Sequence, residues 1–163
     1  MLRGGTRTGA PNKHLIFTDY LEQSPARTSY RILLVDDDER TRQLLRDILE
    51  NFPDMRIVAE AKDGKEAVDL AILRQPDVVL MDVNLPTLDG IQATYSIKET
   101  CRRTLVIGLS EHFTPSIYTD MRTAGAAAFI CKGELLAVHE RILCALRHST
   151  NKLTEGIGGG DFS

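Results

Sequence analysis

An α/β fold, a parallel sheet covered by helices, is predicted by three observations. Apolar runs of strand length alternate strictly with helical patterns from Tyr30 to His148. The third run, DVVLMD, is apolar throughout its interior, as expected of a strand buried on both faces. The helical stretches between the runs each carry one apolar face.

Residues 1–29 mix glycine, proline, threonine and basic residues without sustained periodicity, and are expected to form a flexible arm, although His14–Glu22 has the makings of a short helix. From Tyr30 the texture changes. RILLVDD is a short apolar run closed by acids, and Leu44, Leu45, Ile48, Leu49 and Phe52 then recur at helical spacing on one predicted core face. MRIVAEA reads as a second strand. GKEAVDLAILRQ reads as a helix with Ala67, Val68, Ala71 and Ile72 inward, and Pro76 helps to end it. After the strand DVVLMD come a helix over Gly90–Thr100, the strand TLVIGLS, a helix over Pro115–Ala124 and the strand AAAFICK. Leu135, Leu136, Val138, Ile142, Leu143 and Leu146 give a last amphipathic helix. Residues 149–163, with few apolar side chains and a glycine run, are expected to be a flexible tail, which leaves one domain over 30–148.

Composition bounds the function. A chain of 163 residues with 42% hydrophobic content supports one substantial core. Lys and Arg number 20 against 23 Asp and Glu, so no overall positive field gathers nucleic acid, and no direct DNA binding is expected. The longest apolar stretches, such as Ile32–Val35 and Val78–Met81, are far too short to cross a bilayer. The N-terminus has no apolar secretory core, and Cys101, Cys131 and Cys144 form no C-x-x-C pair, so reduced thiols and a cytoplasmic location are expected. Cys131 falls in an apolar run and Cys144 on an apolar helical stripe.

In open α/β sheets, sites form beyond the carboxyl ends of the strands, where the strand order reverses. The first strand ends in Asp36, Asp37 and Asp38, the third in Asp82, the fourth in Ser110 and the fifth in Lys132. In the doubly wound order 2-1-3-4-5, strands one and three are neighbours, so Asp36, Asp37 and Asp82 converge. Taken singly, each has a bland explanation: Asp38 as a helix cap, Asp82 as a turn residue, Ser110 as another cap, Lys132 as a solvated charge. Taken together they make a site for a hard, oxygen-seeking cation such as Mg2+. Asp82 is then the nucleophile that takes a phosphoryl group, with Lys132 and Ser110 binding the phosphoryl oxygens.

RILLVDDDE, PDVVLMDVNLPTLDG, LVIGLS and AGAAAFICK, in that order and spacing, resemble the receiver domain of two-component response regulators over about Tyr30–His148. The resemblance implies a five-stranded, flavodoxin-like doubly wound sheet with helices on both faces. It implies Asp82 as phosphoacceptor, Mg2+ (or Mn2+) held by Asp37, Asp82 and the backbone carbonyl of Asn84, and Asp36 acting through water. Ser110 matches the switch hydroxyl and Phe129 the switch aromatic, whose inward turn repacks the face formed by the fourth helix, fifth strand and last helix. The module catalyses only its own phosphorylation and dephosphorylation, and its donor is a histidine kinase or histidine phosphotransfer protein.

Departures from the family pattern carry further expectations. Gly133 follows Lys132 where many receivers have proline, which frees that loop. Glu111 follows Ser110 where a small residue is common. With Asn84 and His112 lining the approach of water, Glu111 is expected to slow both phosphorylation from small donors and loss of the phosphate. VIGLSEHFTP and Lys132-Gly133 are similar to receivers of the nitrate-regulator (NarL/FixJ-like) type and to those attached to hybrid kinases, and the parent class stays open. No helix-turn-helix pattern follows His148, so output is expected through an unknown partner, with a phosphorylation-dependent homodimer as a further expectation. Arg40, Arg42 and Arg46 read as a solvated helix face, with contact to the phosphoryl donor as the alternative.

Rival readings fit less well. A haloacid-dehalogenase-like enzyme has D-x-D at the strand end, whereas this chain has Asp82-Val83-Asn84. Gly4 and Gly9 have phosphate-loop spacing but lack the Gly-Lys that completes it. A non-phosphorylated pseudo-receiver, acting only as an interaction module, is the remaining alternative.

Overall fold

The strand Tyr30–Val35 (β1) sends Ile32 and Leu34 to one face of the sheet and Leu33 and Val35 to the other, and all four are fully buried. Alternate residues of one apolar run therefore feed two cores, the pattern of a strand with helices above and below it. The computed structural model describes residues 29–112 and 114–155. After β1 come α1 (Glu39–Leu49), β2 (Met55–Ala61), α2 (Gly64–Arg74), β3 (Val78–Asp82), α3 (Gly90–Thr100), β4 (Leu105–Ser110), α4 (Pro115–Thr123) and β5 (Ala128–Cys131). A 3-10 segment, Lys132–Ala137, leads into α5 (Val138–Glu155). The five strands form one parallel sheet in the order β2-β1-β3-β4-β5, the doubly wound topology that the sequence predicts.

One core joins Ile32, Leu34, Leu80 and Ile107 to Leu45 and Leu49 of α1 and to Val138 and Ile142 of α5. On the opposite face, Leu33, Val35, Val79, Met81 and Val106 meet Ala67 and Ala71 of α2, Ala93 and Ile97 of α3, and Met121 of α4. Four helices begin at capping side chains: Asp38, Asp63, Asp89 and Thr114 accept backbone N–H groups of Arg40, Glu66, Gln92 and Ile117. Each such cap contributes about 1 kcal/mol and fixes where the chain turns from loop to helix. Val35 pairs with Met81 across β1 and β3. Asp36 and Asp82 therefore leave neighbouring strands at the same level.

Several expectations need correction. Leu44, Ile72 and Leu136, expected inward, are exposed, Leu136 at 84%. Leu136 lies in the 3-10 segment, whose tighter winding puts it off the α5 stripe on which Val138 and Ile142 are buried. For Leu44 and Ile72, one buried neighbour per turn, Leu45 or Ala71, already fills the contact with the sheet. Cys144 is exposed although it shares the apolar register of α5. The last helix runs on to Glu155, past the boundary expected at His148; residues 149–155 contain no glycine or proline, and Gly156 is the first breaker. The arm expected over 1–29, with its His14–Glu22 segment, lies outside the described residues but for its last one, and so does the tail from residue 156.

Candidate functional site

At the carboxyl edge of the sheet, ligand atoms of Asp36, Asp37 and Asp82 lie within 4.8 Å of one another. Asp36 and Asp82 are buried, at 0% and 2% exposure, while Asp37 faces solvent. Lys132, the first residue of the 3-10 segment, reaches over both buried acids. Its Nζ stands 2.7 Å from Asp36 Oδ2 and 3.0 Å from Asp82 Oδ2. The backbone holds the remaining carboxylate oxygens: Asp36 Oδ1 accepts the Asp38 N–H at 2.9 Å, and Asp82 Oδ1 accepts the Asn84 N–H at 3.1 Å.

Burial pushes the Asp82 carboxyl above its ordinary pKa, and the Asp36 charge adds to the rise. The Lys132 ammonium and the Asn84 N–H offset part of it. For Lys132, burial disfavours the charged form, but the two carboxylates of Asp36 and Asp82 beside its ammonium outweigh it, and the pKa is raised. Asp36 Oδ2 is close to the ammonium yet receives no well-directed hydrogen bond. A buried carboxylate oxygen without a directed donor, beside two more carboxylates, is the donor set a hard divalent cation prefers. The residues present thus fit Mg2+ or Mn2+.

The other predicted residues lie on β4, on β5 and in the loops after β3 and β4. Ser110 ends β4, is buried, and donates its hydroxyl to the His112 carbonyl at 2.9 Å. The same oxygen accepts the His112 N–H at 3.3 Å, so the hydroxyl is engaged within its own loop. Asn84, Glu111 and His112 are exposed. The Glu111 carbonyl accepts the Cys131 thiol at 3.8 Å, which ties the β4–α4 loop to β5. Phe129 is half-buried, packed edge-on to Tyr118 with ring centroids 6.4 Å apart. Its ring lies over Gly108, where a Cβ would meet it at 2.8 Å.

Two glycines let the loops close on the site. A Cβ on Gly90 would stand 2.0 Å from the Asp82 carbonyl oxygen, and one on Gly64 2.0 Å from that of Leu88. Between Asp82 and Gly90 the chain passes through Thr87 at φ 67°, a left-handed conformation costly to a β-branched residue. Sequence reasoning missed Arg42. It is buried at 6% exposure rather than part of a solvated face, and its guanidinium donates to the Asp36 carbonyl. The acidic Glu60 at the end of β2 was the available signal, because an acid on a half-buried strand calls for a basic partner from the adjacent helix.

The model for the response regulator receiver domain matches residues 32–142, most of the chain. The chain belongs to that family. Curated relatives include the protein-glutamate methylesterase/protein-glutamine glutaminase of Thermotoga maritima, 42% identical over 104 residues, which are 63% of this chain and 30% of that protein. The transcriptional regulatory protein LiaR of Bacillus subtilis is 33% identical over 129 residues, 79% of this chain and 61% of LiaR. Thus the chain spans less than two thirds of the length of either. Among solved structures, the response regulator domain of Thermotoga maritima CheB aligns with a TM-score of 0.67 at 36% identity, over 76% of this chain and 97% of that one. The receiver domain of the putative regulator NarL from Mycobacterium tuberculosis aligns with a TM-score of 0.66 at 29% identity, over 72% and 96%. The receiver is a signalling domain of two-component systems, and family members work with histidine kinases and phosphotransfer proteins. Among the described residues no helix is long and apolar enough to cross a membrane.

Proposed function

We propose that this receiver takes a phosphoryl group onto Asp82 from a histidine kinase or histidine phosphotransfer protein and signals by a change of conformation. The observation that carries the reading is the convergence of three carboxylates within 4.8 Å, two of them buried under the Lys132 ammonium. Such a cluster is held at a cost in repulsion and desolvation that a bound cation relieves.

A carboxylate oxygen of Asp82 attacks the phosphorus of a phosphohistidine. The O–P bond forms as the P–N bond breaks, and the imidazole leaves with the electron pair and takes up a proton. Asp37, Asp82 and the backbone carbonyl of Asn84 would hold Mg2+, with Asp36 acting through water. The ion, when bound, supplies neutralisation of the phosphoryl oxygens. Lys132 passes from the Asp82 carboxylate to a phosphoryl oxygen. Ser110 exchanges the His112 carbonyl for another, and that motion draws the β4–α4 loop toward the site. Phe129, packed between Gly108 and Tyr118, transmits the movement to the outer face of α4, β5 and α5, where a partner or a second copy of the chain reads it.

Incubation with a phosphorylated histidine kinase or phosphotransfer protein, resolved on a phosphate-affinity gel, tests the proposal. A Mg2+-dependent shifted band is expected for the wild type and not for Asp82→Asn. A shift that survives in Asp82→Asn moves the acceptor elsewhere. No shift with any donor leaves the pseudo-receiver.

A further inference from the structure

We propose that Arg42 is a positioning residue for the acidic site: its guanidinium fixes the Asp36–Asp37 peptide, and through it the aim of both carboxylates. The inference rests on the reading of the site as a metal-assisted phosphoryl acceptor.

Arg42 sits in the first turns of α1 with its side chain 7% exposed. Nη1 donates to the Asp36 carbonyl at 2.6 Å, a short, charge-assisted bond in a buried setting. Val35 is the last residue of β1 paired with a neighbouring strand, and beyond it the Asp36 N–H still reaches the Ala61 carbonyl at 3.1 Å. The Asp36 carbonyl falls instead to a side chain. That carbonyl belongs to the planar unit joining Asp36 to Asp37, so holding it fixes ψ of the first acid and φ of the second. The Asp38 N–H meanwhile grips Asp36 Oδ1. The segment that offers two of the three carboxylates is therefore pinned from both sides.

The guanidinium is itself held in place. Its Nη2 pairs with Glu39, and its Nε donates to Glu60 Oε2 at 3.2 Å. Arg46, one turn further along α1, grips the same Glu60 from the solvent side with contacts of 2.6–2.8 Å, and none of its hydrogen bonds goes to Asp36. Arginine keeps its charge at any working pH and presents a rigid fork. Arg42 thus acts on the acidic segment through its backbone: its hydrogen bonds go to the Asp36 carbonyl, Glu39 and Glu60, and none goes to the carboxylates of Asp36, Asp37 or Asp82.

The contrast between the two arginines gives the test. Mg2+ dissociation constants are measured on the full chain by titration of backbone amide NMR signals, for wild type, Arg42→Met, Arg42→Lys and Arg46→Met, each below its melting temperature. Exchange of the Asp38 amide is followed without Mg2+. Arg42→Met is expected to weaken Mg2+ binding roughly tenfold, the scale of losing a partner that orients a metal ligand, and to speed exchange at Asp38. Arg46→Met is expected to lose part of the same ion network yet keep wild-type affinity. A folded Arg42→Met with wild-type affinity, or an Arg46→Met weakened as much, overturns the assignment. Should Arg42→Met fail to fold, Arg42→Lys decides: weakened binding supports the role, and wild-type affinity overturns it. A wild-type chain that binds no Mg2+ at all is a different result, and it removes the acceptor reading together with this inference.

Discussion

The ammonium nitrogen of Lys132 stands 3.0 Å from Oδ2 of Asp82, so the acid at the end of β3 is already met by a cation from the end of β5. The same nitrogen is 2.7 Å from Asp36. Lys132 therefore does in the metal-free protein part of what a divalent cation would do. Its replacement by Met leaves two buried carboxylates facing each other. Loss of about 3–5 kcal/mol of stability is expected without Mg2+, in the range for breaking a buried ion pair. Mg2+ should restore more stability to Lys132→Met than it adds to the wild type. Thermal melts with and without the ion check this, and equal Mg2+ effects in the two proteins contradict it.

The raised pKa of Asp82 makes a stability claim whose sign is fixed. A carboxyl whose folded pKa exceeds its unfolded one favours folding while protonated, and that contribution is lost as pH rises through the folded value. At neutral pH without Mg2+, Asp82→Asn is thus expected to melt higher than wild type by roughly 2–5 °C, the shift that ~1 kcal/mol gives in a domain of this size. The gap closes as pH falls into the range where Asp82 is protonated. A less stable Asp82→Asn at neutral pH contradicts the account.

Gly90 carries the return of the β3–α3 loop against the strand that holds Asp82. With a Cβ placed 2.0 Å from the Asp82 carbonyl oxygen, Gly90→Ala must shift backbone rather than a flexible side chain. A loss of about 2 kcal/mol or more is expected from such overpacking. Urea unfolding measures it, and Gly133→Ala is the comparison. Only Cys131 Sγ, at 3.9 Å, lies near the Cβ of that variant, so it should be close to neutral.

Glu111 follows Ser110 with its side chain in solvent. Its charge is expected to repel anionic small donors. Glu111→Ala is expected to speed both phosphorylation by acetyl phosphate and loss of the phosphate severalfold, read from time courses of intact mass. Unchanged rates remove Glu111 from the account.

Much of this architecture was legible in the chain. Ile32–Val35 and Val78–Met81 announce buried strands because strands with helices on both faces have no polar side to show. Asp36, Asp82 and Lys132 converge because βα order places strand ends at one edge, and the structure brings them within contact. Less was legible where packing decided. Leu44 and Ile72 share a helical face with buried neighbours yet stay outside, since periodicity gives a direction and not a depth. Arg42 looks like any exposed arginine until Glu60 and the Asp36 carbonyl are placed beside it. The engagement of Ser110 with His112 depends on a rotamer, which no pattern of residue types specifies.

Intact-protein mass spectrometry after incubation with acetyl phosphate, with and without Mg2+, tests the central claim most directly. One added phosphoryl group is expected on the wild type, only with Mg2+, and none on Asp82→Asn. An Asp82→Asn chain that gains the same mass would contradict the account, and so would a wild type that gains none from acetyl phosphate or from a phosphohistidine donor.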